Sequence, residues 1–314
     1  MKNFLIGIIV FFSCFPTLLQ AQTDIDAIMM EKKQLCIGPM YNYSSFKNYW
    51  EGTTKRDNAN LGTVSTKMYS VMASYGITST VNFLFNIPYV QTNASAGTMH
   101  GMKGMQDLNL YLKWMPVEKQ IGAGTFSLYT IAGGSLPVTN YVADYLPLAI
   151  GLHSKTATAR IMADYQINHL FFTGSATYMV KNKVKIDRTA YYDTELHLTN
   201  EVAIPDETSF NFRVGYRSSK LLAEGLINRS VTRGGFDITK NNMPFPSNRM
   251  NATTVGVNFK YGVSQNNKLS IVTGGNTTIA GRNVGQSTNY YGSIFYILDF
   301  THHTKSTNNS GKTP

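Results

Sequence analysis

The chain has 314 residues, with 28 Lys and Arg against 18 Asp and Glu, a formal net charge of +10. Charged residues make up only 15% while Tyr and Phe number 19 and 17, a poor match to a soluble domain, in which about a quarter of residues are charged. No dense basic run occurs, and the aromatics sit at strand spacing rather than among the basic residues, which argues against a nucleic-acid partner.

Residues 1–21 read as a secretory signal: Lys2 supplies the positive start, Phe4 to Phe15 is apolar, and Ala21 is a cleavage point that leaves Gln22 first. Residues 22–34 then form a periplasmic N-terminal segment. Cleavage removes Cys14 and leaves Cys36 without an intramolecular partner, so no disulfide framework is expected despite export. The run Phe11-Phe12-Ser13-Cys14 faintly resembles a lipobox, which would instead make the chain a lipoprotein. No later segment offers 18 continuous apolar residues, so no helix is expected to cross a membrane.

From Leu35 to Phe300 the chain alternates apolar and polar residues in segments of roughly ten, near the 9–11 that a tilted membrane strand requires. The expected strands are Leu35–Phe46, Thr63–Tyr75, Thr78–Val90, Gly104–Trp114, Gly124–Gly134, Thr156–Ile167, Leu170–Lys181, Thr208–Arg217, Leu221–Val231, Ala252–Tyr261, Lys268–Asn276 and Tyr290–Phe300. Their connections run long, short, long, short, ending with a long link from Asn276 to Asn289. Short periplasmic turns and long outer loops produce this rhythm in an outer-membrane barrel. The fold class is therefore all-β: a transmembrane antiparallel up-and-down β-barrel of about 12 strands, with 10 or 14 as alternatives.

Side chains alternate across a strand, and several segments sort cleanly. Val81, Phe83, Phe85, Ile87 and Tyr89 oppose Thr80, Asn82 and Asn86; Phe210, Phe212, Val214 and Tyr216 oppose Asn211, Arg213 and Arg217. No charge falls on the apolar face, where Arg or Lys at the midplane would cost roughly 2–4 kcal/mol. A soluble β-sandwich also alternates, but it has no need of long and short links in strict turn. The last segment, with Ile294, Tyr296, Leu298 and Phe300 in alternation, resembles the signal read by the bacterial barrel-assembly machinery. A polar tail, 301–314, follows and is expected to be disordered.

The expected luminal faces carry Asp107, Lys113, Arg160, Asp164, Arg213, Arg217, Glu224 and Lys260. These can pair across the barrel and fill it, or line a path for a polar or amphipathic solute. His153 and Ser154 are adjacent and would point to opposite faces of a strand, so they cannot form a nucleophile–base pair. His302-His303 lacks further ligands at metal-site spacing, and no cofactor is implied. Three loops combine Gly, Pro, Asn and opposed charges: Tyr49 to Asn58, Arg233 to Asn248, and Gly281 to Gly285. They can pack as a lid or form a ligand-capture site. Tyr49, Trp50, Phe236 and Phe245 would supply aromatic contacts, and Arg160 and Arg213 would orient a carboxylate.

Tyr75-Gly76-Ile77-Thr78 with Asn86-Ile87-Pro88-Tyr89, then Gly104-Met105-Gln106-Asp107-Leu108 to Lys113-Trp114, then Gly133-Gly134-Ser135-Leu136-Pro137, resemble the motifs of an outer-membrane family named for the meta-pathway of phenol degradation. Met105-Gln106 replaces the usual Leu-Gly, and the Gly after the proline is absent. That family is similar in plan to the long-chain fatty-acid transporter barrels. The resemblance implies a channel for small hydrophobic or aromatic compounds, without ligand residues to carry over. The expected protein is thus a monomeric, non-enzymatic channel in the outer membrane of a Gram-negative bacterium. Its expected partners are membrane lipid and lipopolysaccharide, the assembly machinery, and a small hydrophobic solute. The alternative is a plugged structural barrel that displays its loops.

Overall fold

The computed structural model describes residues 23–239, 242–264 and 266–301. The long strands are β1 (Gln34–Phe46), β2 (Val64–Gly76), β3 (Val81–Ala94), β4 (Asp107–Ile121), β5 (Gly124–Pro137), β6 (Thr156–Ile167), β7 (Leu170–Lys181), β8 (Glu207–Arg217), β9 (Leu221–Thr232), β10 (Asn251–Gly262), β11 (Leu269–Arg282) and β12 (Thr288–Asp299). Each pairs antiparallel with its neighbours in sequence. β1 pairs with β2 on one side and β12 on the other, so the sheet closes into a barrel of twelve strands. The short strand Lys103–Met105 prolongs β4 past a break at Gln106, and the Gln106 amide still donates to the Pro88 carbonyl at 2.9 Å.

Gly38 and Pro39 shape the seam between β1 and β12. A Cβ at Gly38 would collide with the Ile294 carbonyl oxygen, so only glycine lets β1 and β12 approach this closely. Pro39 offers no N–H, and the ladder passes from the Ile37–Tyr296 pair to the Met40–Ser293 pair without a pairing between them.

Polarity is inverted across the wall. Phe83, Leu112, Trp114, Ile161, Phe210, Phe212, Val257, Phe259 and Ile294 are each more than a third exposed, whereas Asn82, Lys113, Asp164, Arg213, Glu224 and Lys260 are buried. A sheet in water would bury the first set against a core and leave the second outside. The arrangement suits an apolar solvent around the barrel and a polar interior.

The alternation of connections holds at the short-turn end, where 122–123 and 168–169 are the tightest links. It differs from expectation at two places. β4 continues through Ile121 past an irregularity between Trp114 and Val117, so the link expected from Met115 is only 122–123. β11 and β12 run on to Arg282 and back from Thr288, so the long link expected from Asn276 to Asn289 is 283–287. Both extensions are held by backbone pairing where side-chain alternation lapses, as in Glu118-Lys119-Gln120.

Candidate functional site

Residues 23–31, expected as a periplasmic lead-in, lie inside the barrel. Lys33 is fixed at the short-turn end, donating to Gly76 O at 2.8 Å and accepting from the Phe300 amide at 3.0 Å. From there the segment turns inward. Met30 buries against Cys36, Phe295 and Ile297, Ile28 against Phe171 and Leu222, and Ala27 against Tyr129, Ile131 and Met162.

The segment has no regular structure, so its backbone needs partners from the wall. Lys113 Nζ donates to Asp26 O at 2.5 Å, Ile28 O at 2.9 Å and Asp26 Oδ1 at 3.1 Å. Tyr129 Oη donates to Ala27 O at 3.0 Å. Arg160 Nη1 reaches Asp24 O at 2.6 Å and Asp24 Oδ2 at 3.0 Å. A sequence signal for this was available: Lys113 faces Asn82 and Ile131 on the adjacent strands, and Arg160 faces Ile131 and Thr177. Two inward cations without wall carboxylates call for a third source of negative charge, and Asp24 and Asp26 supply it.

Four of the other luminal charges pair within the wall. Arg213 Nη1 meets Glu224 Oε1 at 2.6 Å, and Asn258 donates to the same oxygen at 3.0 Å. Arg217 binds both oxygens of Asp164, at 2.9 and 3.2 Å, and its guanidinium lies 4.0 Å from the Phe171 ring centre. Asp107 accepts from Tyr141 Oη at 2.6 Å near the long-loop end.

Two cavities flank the segment, and Ile28 lines both. One, of about 480 Å³, is bounded by residues 23–28 and the inner faces of β1–β3 and β8–β12. Its wall mixes Met40, Met72 and Leu226 with Arg213, Glu224 and Lys260. The other, of about 500 Å³, lies toward the short turns beside Met115, Tyr129, Asp164 and Arg217.

At the long-loop end Asn283 ties the three distinctive loops together. Its Oδ1 accepts from the Gly52 amide at 2.7 Å and the Ile238 amide at 3.1 Å, while its Nδ2 donates to Asp237 Oδ1 at 2.7 Å and Arg249 O at 2.8 Å. Arg282 grips both oxygens of Asp237 at 2.7 and 2.6 Å. These hydrogen bonds from the Arg282 guanidinium pull the Asp237 carboxyl down to about 2. Loop 182–206 joins the same cap: Val184, Ile186, Val202, Ile204 and Phe245 form a small apolar core.

The six aromatic and arginine candidates therefore separate. Trp50 is buried against Gly281, where a Cβ would stand 2.5 Å from its ring, and Tyr49 bridges to Gly285; both belong to the cap. Phe236 and Phe245 share a cavity of about 660 Å³ with Tyr145, Tyr191, Asp144 and Arg188. Arg188 Nε lies 3.0 Å from Asp144 Oδ2, with its guanidinium 5.4 Å from the Phe245 ring centre. Arg213 lines the luminal cavity, and Arg160 holds the N-terminal segment. Sequence reasoning missed Arg188, Tyr191 and Asn283, whose roles depend on loops packing across the barrel mouth.

Ser154 Oγ donates to Asn182 O at 2.8 Å, and the His153 amide donates to Tyr141 Oη at 2.9 Å, so the two form no nucleophile–base pair. His302-His303, the signal and the rest of the tail lie outside the described residues.

No family model matches the chain, and no curated protein matches it. Among solved structures it is similar to an outer membrane channel from Pseudomonas putida F1, at 11% identity and a TM-score of 0.66, over 89% of this chain and 100% of that one. It is also similar to the NanC porin, at 7% identity and a TM-score of 0.46 over 82% and 100% of the two chains. A third is the CymD monoaromatic hydrocarbon channel, at 9% identity and a TM-score of 0.41 over 87% and 90%. At this identity the first likeness establishes the fold, that of an outer-membrane β-barrel.

Proposed function

We propose that this protein is an outer-membrane channel for small amphipathic or hydrophobic compounds, aromatic acids among them. The carrying observation is the luminal cavity beside residues 23–28, which Met40, Met72, Leu222 and Leu226 line together with Arg213 and Lys260. Such a wall accepts an apolar body and a carboxylate together. The aromatic cavity at Phe236, Phe245 and Arg188 supplies a first contact at the outer mouth. The solved channel of similar fold and the resemblance to the meta-pathway family point the same way. No step of this reading involves bond-making chemistry.

Residues 23–31 divide the lumen, so the resting barrel conducts little and passage accompanies displacement of that segment. Single-channel recording in planar bilayers, with benzoate, phenylacetate and a medium-chain fatty acid added in turn, tests the reading. Solute-dependent conductance, or block reduced by Arg213→Gln, supports it. A barrel that neither conducts nor binds any of the three favours the plugged structural alternative.

A further inference from the structure

Above the apolar band on β5–β7, the rim opens into a groove of about 550 Å³ lined by Lys155, Lys183, Lys185, His153, Asn182 and Asp187. The three lysines are exposed, and none has an ion-pair partner among the described residues, unlike Lys47, Lys113 and Lys181. Of the nearby carboxylates, Glu207 is engaged by Lys181 at 2.9 Å and Asp144 by Arg188 at 3.0 Å, while Glu201 stands across the strand pair from Lys185 without an ion pair among the described residues. Asp187 is the one acid that lines the groove. Three lysines against one lining carboxylate leave a local surplus of positive charge.

A second feature lies directly below, on the same strands. Gly134 sits opposite Ala157, and Ala132 opposite Ala159, on the outward faces of β5 and β6. Leu110 and Leu112 flank this pair of rows on β4, and Val180 and Tyr178 flank it on β7. Small residues between two large rows make a trough on the outer surface, running down the wall from Lys155. A cationic groove above an apolar trough matches an amphipathic anion whose charged head stands at the membrane surface and whose chains lie along the wall.

We infer that this face binds one lipopolysaccharide molecule, with its lipid A phosphates at Lys155, Lys183 and Lys185 and an acyl chain in the Gly134–Ala132–Ala157–Ala159 trough. The inference rests on the outer-membrane placement proposed above and is independent of whether the lumen conducts. Charge complementarity selects the phosphorylated glycolipid, because a zwitterionic lipid or a neutral protein surface gains nothing from three unpaired lysines.

The test uses the full chain, folded in detergent, with bisphosphorylated hexa-acyl lipid A and its dephosphorylated form as probes and binding read by native mass spectrometry. Wild type should prefer the phosphorylated lipid. The triple variant Lys155→Ala, Lys183→Ala, Lys185→Ala should lose on the order of a hundredfold in that affinity, at about fivefold per lysine. All three positions are exposed, so the variant should keep the heat-modifiable gel migration of a folded barrel. Ala159→Phe, which fills the trough, should weaken both lipids. Equal binding of the two lipids by wild type, or undiminished binding by the triple variant, would overturn the inference. So would inorganic phosphate displacing lipid A at equal concentration, which marks a free-anion site, or self-association through this face without lipid. Single-channel conductance measured on the same triple variant separates this result from any failure of the channel reading.

Discussion

Lys113→Met isolates what holds the luminal segment in place. Lys113 is fully buried, and its ammonium makes three hydrogen bonds to Asp26 and Ile28, two of them to backbone carbonyls. Methionine keeps most of the stem's volume, so the perturbation falls on the acceptors rather than on packing. Removing one partner of a buried charged cluster costs about 3–5 kcal/mol. Withdrawal of the segment would rehydrate Asp26, which places the effect near the low end, about 3 kcal/mol. At 1.4 kcal/mol per factor of ten, the withdrawn population should rise on the order of a hundredfold. Arg160 and Tyr129 still hold Asp24 and Ala27, so the segment loosens from its middle. Hydrogen exchange at the Ile28 amide should quicken by that factor, and bilayer recordings should show frequent openings in place of a mostly closed trace. A folded Lys113→Met barrel with unchanged exchange at residues 25–30 and unchanged conductance would refute the assignment of Lys113 as the main anchor.

Two further outcomes follow from the charge pairs. Arg213→Met strands Glu224, whose side chain is 2% exposed and would keep only Asn258 as a polar partner; a loss of about 3–5 kcal/mol is expected in urea-monitored unfolding from vesicles. The double variant Arg213→Met with Glu224→Leu should recover most of it, and a single variant within about 1 kcal/mol of wild type would show that the pair is not energetically coupled. At the cap, the Asp237 carboxyl sits at about 2 in place of 3.8. A depressed acid contributes its stabilisation in full above the unfolded value and loses it as pH falls toward the folded one. Protection of the Gly52 and Ile238 amides, relative to their intrinsic exchange rates, should therefore be flat from neutrality to about pH 4 and fall between about 4 and 2. Asp237→Asn should show the faster exchange at neutral pH; a cap insensitive to both changes would mean that Asn283 alone joins the loops.

The barrel was legible because a membrane strand is a local object. Each segment such as Phe210 to Arg217 must present apolar residues to lipid and polar ones to the lumen, and that demand is written at every second position. β6 and β7 begin and end where alternation and the tight 168–169 turn place them. β4 and β11 ran longer than expected because their C-terminal ends are held by ladder pairing, which side-chain pattern does not record. The charges facing inward were likewise legible, and so was the potential of the three Gly- and Asn-rich loops to pack as a lid.

Tertiary structure alone decided what those charges meet. Arg213 and Arg160 look alike in sequence, yet one pairs with Glu224 on the next strand and the other reaches Asp24, 136 residues earlier in the chain. Whether Phe245 is a free aromatic or the hinge of an apolar cap depends on loop 182–206 folding over it. The sequence by itself determined a closed wall with an apolar outside and a polar inside, because lipid constrains each strand separately. Only the assembled barrel decided that residues 23–31 occupy the lumen, because the partners of an irregular backbone are donors on strands brought together by closure.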